Sequence, residues 1–86
     1  MRGDGHRPKA HHLRMDRKIL EGHLRLAKQH AWIGQQHIRR QREIVEELER
    51  DGHDATMART LLKTYEGTQK MHEADVQRLT KELAEL

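Results

Sequence analysis

Leu20–Leu48 reads LEGHLRLAKQHAWIGQQHIRRQREIVEEL, and three histidines stand seven residues apart within it: His23, His30 and His37. Ile44 takes the fourth place in that series. Two turns of α-helix consume about seven residues, so a seven-residue repeat keeps one helix face in register. We write the heptad so that a holds Leu24, Ala31, Ile38 and Val45, and d holds Leu20, Ala27, Gly34, Gln41 and Leu48. The histidines and Ile44 then fall at g, and Ile19, Leu26 and Ile33 at c. Positions c, g, d and a together cover an arc of about 160°, wider than the seam of a two-stranded coiled coil. Such an arc suits a helix with two neighbours, as in a bundle.

Downstream, the pattern breaks at Arg50-Asp51-Gly52-His53-Asp54. Glycine closes a helix by taking the left-handed conformation, and aspartate caps the next by accepting a backbone N–H. We therefore expect a first helix over about 14–50, a turn over 51–54 and a second helix over about 55–85. A link this short folds the second helix back antiparallel. In that helix a holds Ala55, Leu62, Gln69, Val76 and Leu83, and d holds Ala58, Tyr65, His72, Leu79 and Leu86. Counting back from the turn places residues whose numbers sum to about 103–106 opposite each other. Ala31 and Gly34 then face Gln69 and His72, small residues against large ones.

Upstream, residues 1–12 (MRGDGHRPKAHH) hold two glycines, the only proline and almost nothing apolar. They are expected as a disordered or frayed basic tail before a single hairpin domain over 13–86. Met15-Asp16 offers an alternative start, with Asp16 as an N-cap.

Hydrophobic residues make up 34% of the 86, charged ones 36%, and Trp32 and Tyr65 are the only aromatics among Phe, Trp and Tyr. Such a chain buries little core alone, and with no cysteine it has no disulfide to staple it, so self-association is the expected remedy. Charge is unevenly placed. Residues 1–28 carry eight Lys/Arg against three Asp/Glu, whereas residues 43–54 carry six acids against Arg50. No apolar run approaches the roughly 20 residues that span a bilayer, and no apolar segment follows the N-terminal charges as in a secretory leader. The sequence reads as cytoplasmic.

The histidine ladder invites a metal site. Yet residues seven apart lie about 10.5 Å apart along a helix, and chelation within one helix needs an i, i+3 or i+4 pair. Only His72 and Asp75 have that spacing among the candidates His30, His37, His72 and Asp75. We favour no metal and no cofactor. The simpler expectation is that His23, His30 and His37 are half-buried and hydrogen-bonded across a helix interface, fixing register as buried polar residues do. A pH response is the third reading, since histidine is the side chain that titrates nearest neutrality.

Arg39, Arg40 and Arg42 form a compact basic cluster that offers possible phosphate contacts. No aromatics interleave with it, and acids begin at Glu43, so i, i+4 pairs Arg39–Glu43 and Arg42–Glu46 are expected and nucleic-acid binding is not favoured. Trp32 falls at b, either covering an apolar edge or marking a partner contact. The chain contains neither serine nor cysteine, and it has no glycine-rich phosphate loop. No catalytic residues and no small-molecule substrate are inferred.

From Met15 onward the chain resembles a family of small helical-hairpin proteins of rhizobia and related alphaproteobacteria. The resemblance rests on His23-Leu24, His30, His37-Ile38, Gln41-Arg42-Glu43, Glu47 to Asp54, Ala58-Arg59, Leu61-Leu62, Glu66, Thr68-Gln69 and His72. It implies the hairpin and brings no activity with it.

The expectation is thus an all-α, antiparallel coiled-coil-like hairpin that dimerises into a four-helix bundle. Its interface residues are Leu20, His23, Leu24, Ala27, His30, Ala31, Gly34, His37, Ile38, Val45, Leu48, Leu62, Tyr65, His72, Val76 and Leu79. The function expected is non-enzymatic: self-association or protein interaction, with a metal- or pH-responsive protein and a nucleic-acid-associated one as alternatives.

Overall fold

The computed structural model describes the backbone from residue 7 and the side chains from residue 17 to the end of the chain. Two helices, α1 (Arg7–Arg50) and α2 (Thr56–Ala84), pack against each other as an antiparallel hairpin 74 Å long and 18 by 15 Å across.

The turn forms as its residues dictate. Gly52 takes a φ of 75°, open to glycine at no steric cost. The His53 N–H then reaches the Leu48 carbonyl at 2.8 Å and the Gly52 N–H reaches that of Glu49 at 3.2 Å. These are the two bonds of a Schellman closure, and they satisfy carbonyls that the helix end leaves free. On the far side Asp54 Oδ1 accepts from the Thr56 N–H at 2.9 Å and from the Thr56 hydroxyl at 2.7 Å. Those two bonds, the hydroxyl's first, hold the Asp54 carboxyl below its ordinary pKa, with Arg59 adding a smaller pull.

α1 begins earlier than about residue 14. It starts at Arg7, so Asp16 lies inside the helix instead of capping it. Pro8 is tolerated in a first helical turn, where its missing N–H has no partner to lose. Between Pro8 and Ile19 no glycine or second proline stops the helix, and Ala10, Leu13, Arg14 and Met15 favour it. The part of the expected tail at residues 1–6 lies outside the described residues.

At the ring pairs the register falls just below the sum of about 103–106 counted from the turn. The His30 ring faces that of His72, and His37 faces Tyr65, pairs whose numbers sum to 102. Ala27, Ile38 and Val45 of α1 are buried with Leu79 of α2 and Ala55 just before it. Two glutamines join them, Gln41 and Gln69, at 6% and 5% exposure. Each reaches across the seam to the other helix's backbone: Gln41 Nε2 donates to the Ala58 carbonyl at 3.0 Å, and Gln69 Nε2 donates to the Ala31 carbonyl at 2.8 Å. A carbonyl has a second lone pair beyond its helical bond, so both helices stay intact while the amides cross-link them.

Candidate functional site: an apolar groove along one edge of the hairpin

The two edges of the helix seam differ. One is crossed near the turn by ion pairs between helices, Arg42 with Glu66 at 3.4 Å and Arg59 with Glu49, and opens further along between Lys28 and Glu73. Arg42 and Glu49 are seven apart on α1, as are Arg59 and Glu66 on α2, so these pairs form one ladder. All four side chains are about half exposed, so the ladder adds little stability and chiefly keeps that edge solvated.

The other edge opens into a groove of about 210 Å³ lined by His30, Ile33, Gly34, His37, Tyr65, Thr68 and His72. Two ring pairs stand along it. His30 and His72 lie 5.5 Å apart between centroids, tilted by 49°; His37 and Tyr65 lie 5.6 Å apart, tilted by 40°. Gly34 lies between them. A β-carbon at Gly34 would overlap Gln69 Oε1 and approach His72 Cδ2 to 3.6 Å. Gly34 is thus the notch that admits the Gln69 amide. Gln69 Oε1 itself is buried without a hydrogen-bond partner. Turning the amide over would set that oxygen against the Ala31 carbonyl, acceptor on acceptor, which fixes its orientation.

The groove belongs to a longer apolar face. On α1, Ile33 lines it, and Leu26 and Ile19 follow at successive seven-residue steps towards the N-terminus. On α2, Thr68 lines it; Leu61 stands two turns away and Met57 three turns, while Met71 sits on the outer flank. These are six of the eight large hydrophobic residues left exposed among the described residues, at 38–84%; Leu86, a seventh, lies beyond the end of α2. The eighth, Trp32, is 65% exposed on the side away from the groove.

The anticipated interface residues divide into two sets. Ala27, Ile38, Val45 and Leu79 are buried in the seam, with Leu20, Leu24, Ala31, Gly34, Leu48, Leu62, Tyr65, His72 and Val76 half-buried around it. His23, His30 and His37 are exposed within one hairpin. They make no hydrogen bond across the seam among the described residues, contrary to expectation, because α2 packs on the a/d side of the wide arc and leaves g and c open. The buried polar cross-links are the glutamines. Their signal was present, since Gln41 holds a d position and Gln69 an a position, each opposite small residues.

The metal candidates come together only in part. His30 and His72 face each other, while His37 stands against Tyr65 and the Asp75 carboxylate lies 3.4 Å from Arg78. Arg78 also pairs with Glu82 at 3.2 Å; that bond first, and Asp75 second, push the guanidinium pKa up. Among the described residues, no three histidine or acidic side chains are grouped to hold one ion. In the basic cluster, Arg40 pairs with Glu43 at 3.4 Å and Arg42 reaches over to Glu66, in place of the expected pairs Arg39–Glu43 and Arg42–Glu46. Arg42 points along the seam edge, where α2 offers the nearer carboxylate. No described helix is long and apolar enough to cross a membrane. No family model, curated protein or solved structure matches the chain.

Proposed function

We propose that this is a non-enzymatic, self-associating helical module in which two hairpins bury their groove faces to form a four-helix bundle. The observation that carries the reading is the collection of six exposed large hydrophobics on one face, opposite an edge where ion pairs cross between the helices. Contiguous apolar patches above a few hundred Å² mark interaction surfaces. Ile19, Leu26, Ile33, Met57, Leu61 and Met71 are 38–84% exposed, with the His30, His37 and Tyr65 rings between them. Placement among the rhizobial helical-hairpin proteins belongs to the same proposal and rests on the Gly52 turn and the histidine spacing.

A protein whose folded state is a dimer melts at a temperature that rises with concentration. Thermal unfolding followed by circular dichroism across a hundredfold range of concentration tests this. A rising midpoint is expected; a constant one overturns the reading. A second reading, response to a divalent metal, draws on the facing rings of His30 and His72. Its sign is a Zn²⁺-dependent rise in melting temperature that His72→Gln removes.

A further inference from the structure

We infer, resting on the self-association just proposed, that the partner on the groove face is a second copy turned antiparallel, so that α1 stacks on α1 about a two-fold axis between His30 and Ile33. Three observations carry this orientation: helix lengths, charge and the order of apolar side chains.

The helices differ in length. α1 has 44 residues and α2 has 29. With the register observed, Ala84 lies level with about residue 19, so roughly 20 Å of α1 (residues 7–19) extends past the end of α2. An axis between His30 and Ile33 places residues whose numbers sum to 63 opposite each other. Residues 13–50 of one α1 then run alongside residues 50–13 of the other, and the overhang of each copy lies beside the turn end of its partner.

Charge selects the same arrangement. Residues 9–20 carry Lys9, Arg14, Arg17 and Lys18 against Asp16, a net of +3. Their counterparts, residues 43–54, carry six acids against Arg50, a net of −5. Antiparallel docking brings these opposite charges together twice, within about a Debye length. Copies turned the other way gather both acidic turn ends at one end of the bundle and both basic overhangs at the other, like charge beside like. Glu43 and Glu49 are already engaged by Arg40 and Arg59, but Glu46, Glu47 and Asp51 form no ion pair among the described residues.

The apolar order fits as well. Opposed positions pair Ile19 with Ile44, Leu26 with His37, and His30 with Ile33. The partner's Ile33 stands over this copy's His30, so each groove is completed by the second chain.

The chain has no cysteine, so single introduced thiols carry spin labels to chosen sites. Electron–electron dipolar distances on full-length Arg17→Cys, Glu47→Cys and their mixture test the orientation, with the oligomer mass measured on the same samples. We expect about 45 Å between the two Arg17 positions, and under about 20 Å between position 17 of one copy and position 47 of the other. A dimer with its two position-17 labels within about 20 Å is parallel and overturns the inference while sparing self-association. A monomeric mass removes both, and a mass showing another protein in place of the second copy overturns the choice of partner.

Discussion

The Gln69 amide lies in the space above Gly34 that a β-carbon would fill, and from there it donates to the Ala31 carbonyl at 2.8 Å. Neither residue explains itself alone. A glycine in mid-helix costs about 1 kcal/mol against alanine, and a buried glutamine needs a place for its amide. Together they lock α1 and α2 at one height, since a slide of either helix carries the amide off the notch.

Gly34→Ala should therefore destabilise the hairpin by about 1–3 kcal/mol, the gain in helix propensity being outweighed by displacement of a packed, hydrogen-bonded side chain. In a Gln69→Ala background the same substitution should be neutral or stabilising. Denaturant unfolding of the four-member cycle measures the coupling; additive effects would show that the notch does not hold the amide.

Gly67 provides the contrast. It lies within α2, and a β-carbon there meets nothing within 4 Å. Gly67→Ala should stabilise by about 1 kcal/mol. Gly52 has equally open surroundings, but its φ is 75°. Gly52→Ala should cost about 1–2 kcal/mol through backbone strain alone. Melting curves of both variants check the opposite signs, and a gain at Gly52 would contradict the left-handed closure.

Asp54 gives a pH dependence of known direction. Its carboxyl is held below the ordinary value by the Thr56 hydroxyl and N–H, so it stays charged in the hairpin at a pH where the unfolded chain takes up a proton. Its contribution is complete above the unfolded carboxylate value, near pH 4, and is lost as pH falls through the lower folded value. The gap in melting temperature between the wild type and Asp54→Asn should hold from neutrality down to the unfolded carboxylate value and narrow as pH falls below it. An unchanged gap at the acid end would remove the Asp54–Thr56 bonds as its source.

Trp32 serves as an internal control. It is 65% exposed and faces away from the groove. Its emission should have the long wavelength of a solvated indole and should not shift as the protein is diluted through dissociation. A blue-shifted emission at high concentration would place the interface on the wrong side.

Most of the architecture was legible in the residues. Gly52 and Asp54 specified the turn, and counting from it set Ala31 and Gly34 against Gln69 and His72, where the structure places them. The functional face was harder to read. A periodic pattern shows that α1 has an arc wide enough for two neighbours, but not which half α2 takes. Histidine at g and glutamine at d are adjacent on that arc, and only packing decides which is buried. The pairing of Arg42 was hidden for the same reason, because Glu66 is 24 residues away in sequence and adjacent only across the seam. The start at Arg7 was obscured by a polar composition that resembles a tail.

The central claim is that the groove face is covered by a second copy. The direct measurement is absolute mass by light scattering after gel filtration of the full-length chain at neutral pH, beside an Ile33→Asp variant that sets a charge at the groove. One chain weighs 10.2 kDa. The account predicts a wild-type mass of about twice that, and about one chain's mass for the variant. A wild-type mass of one chain at concentrations where the helices are folded would contradict it.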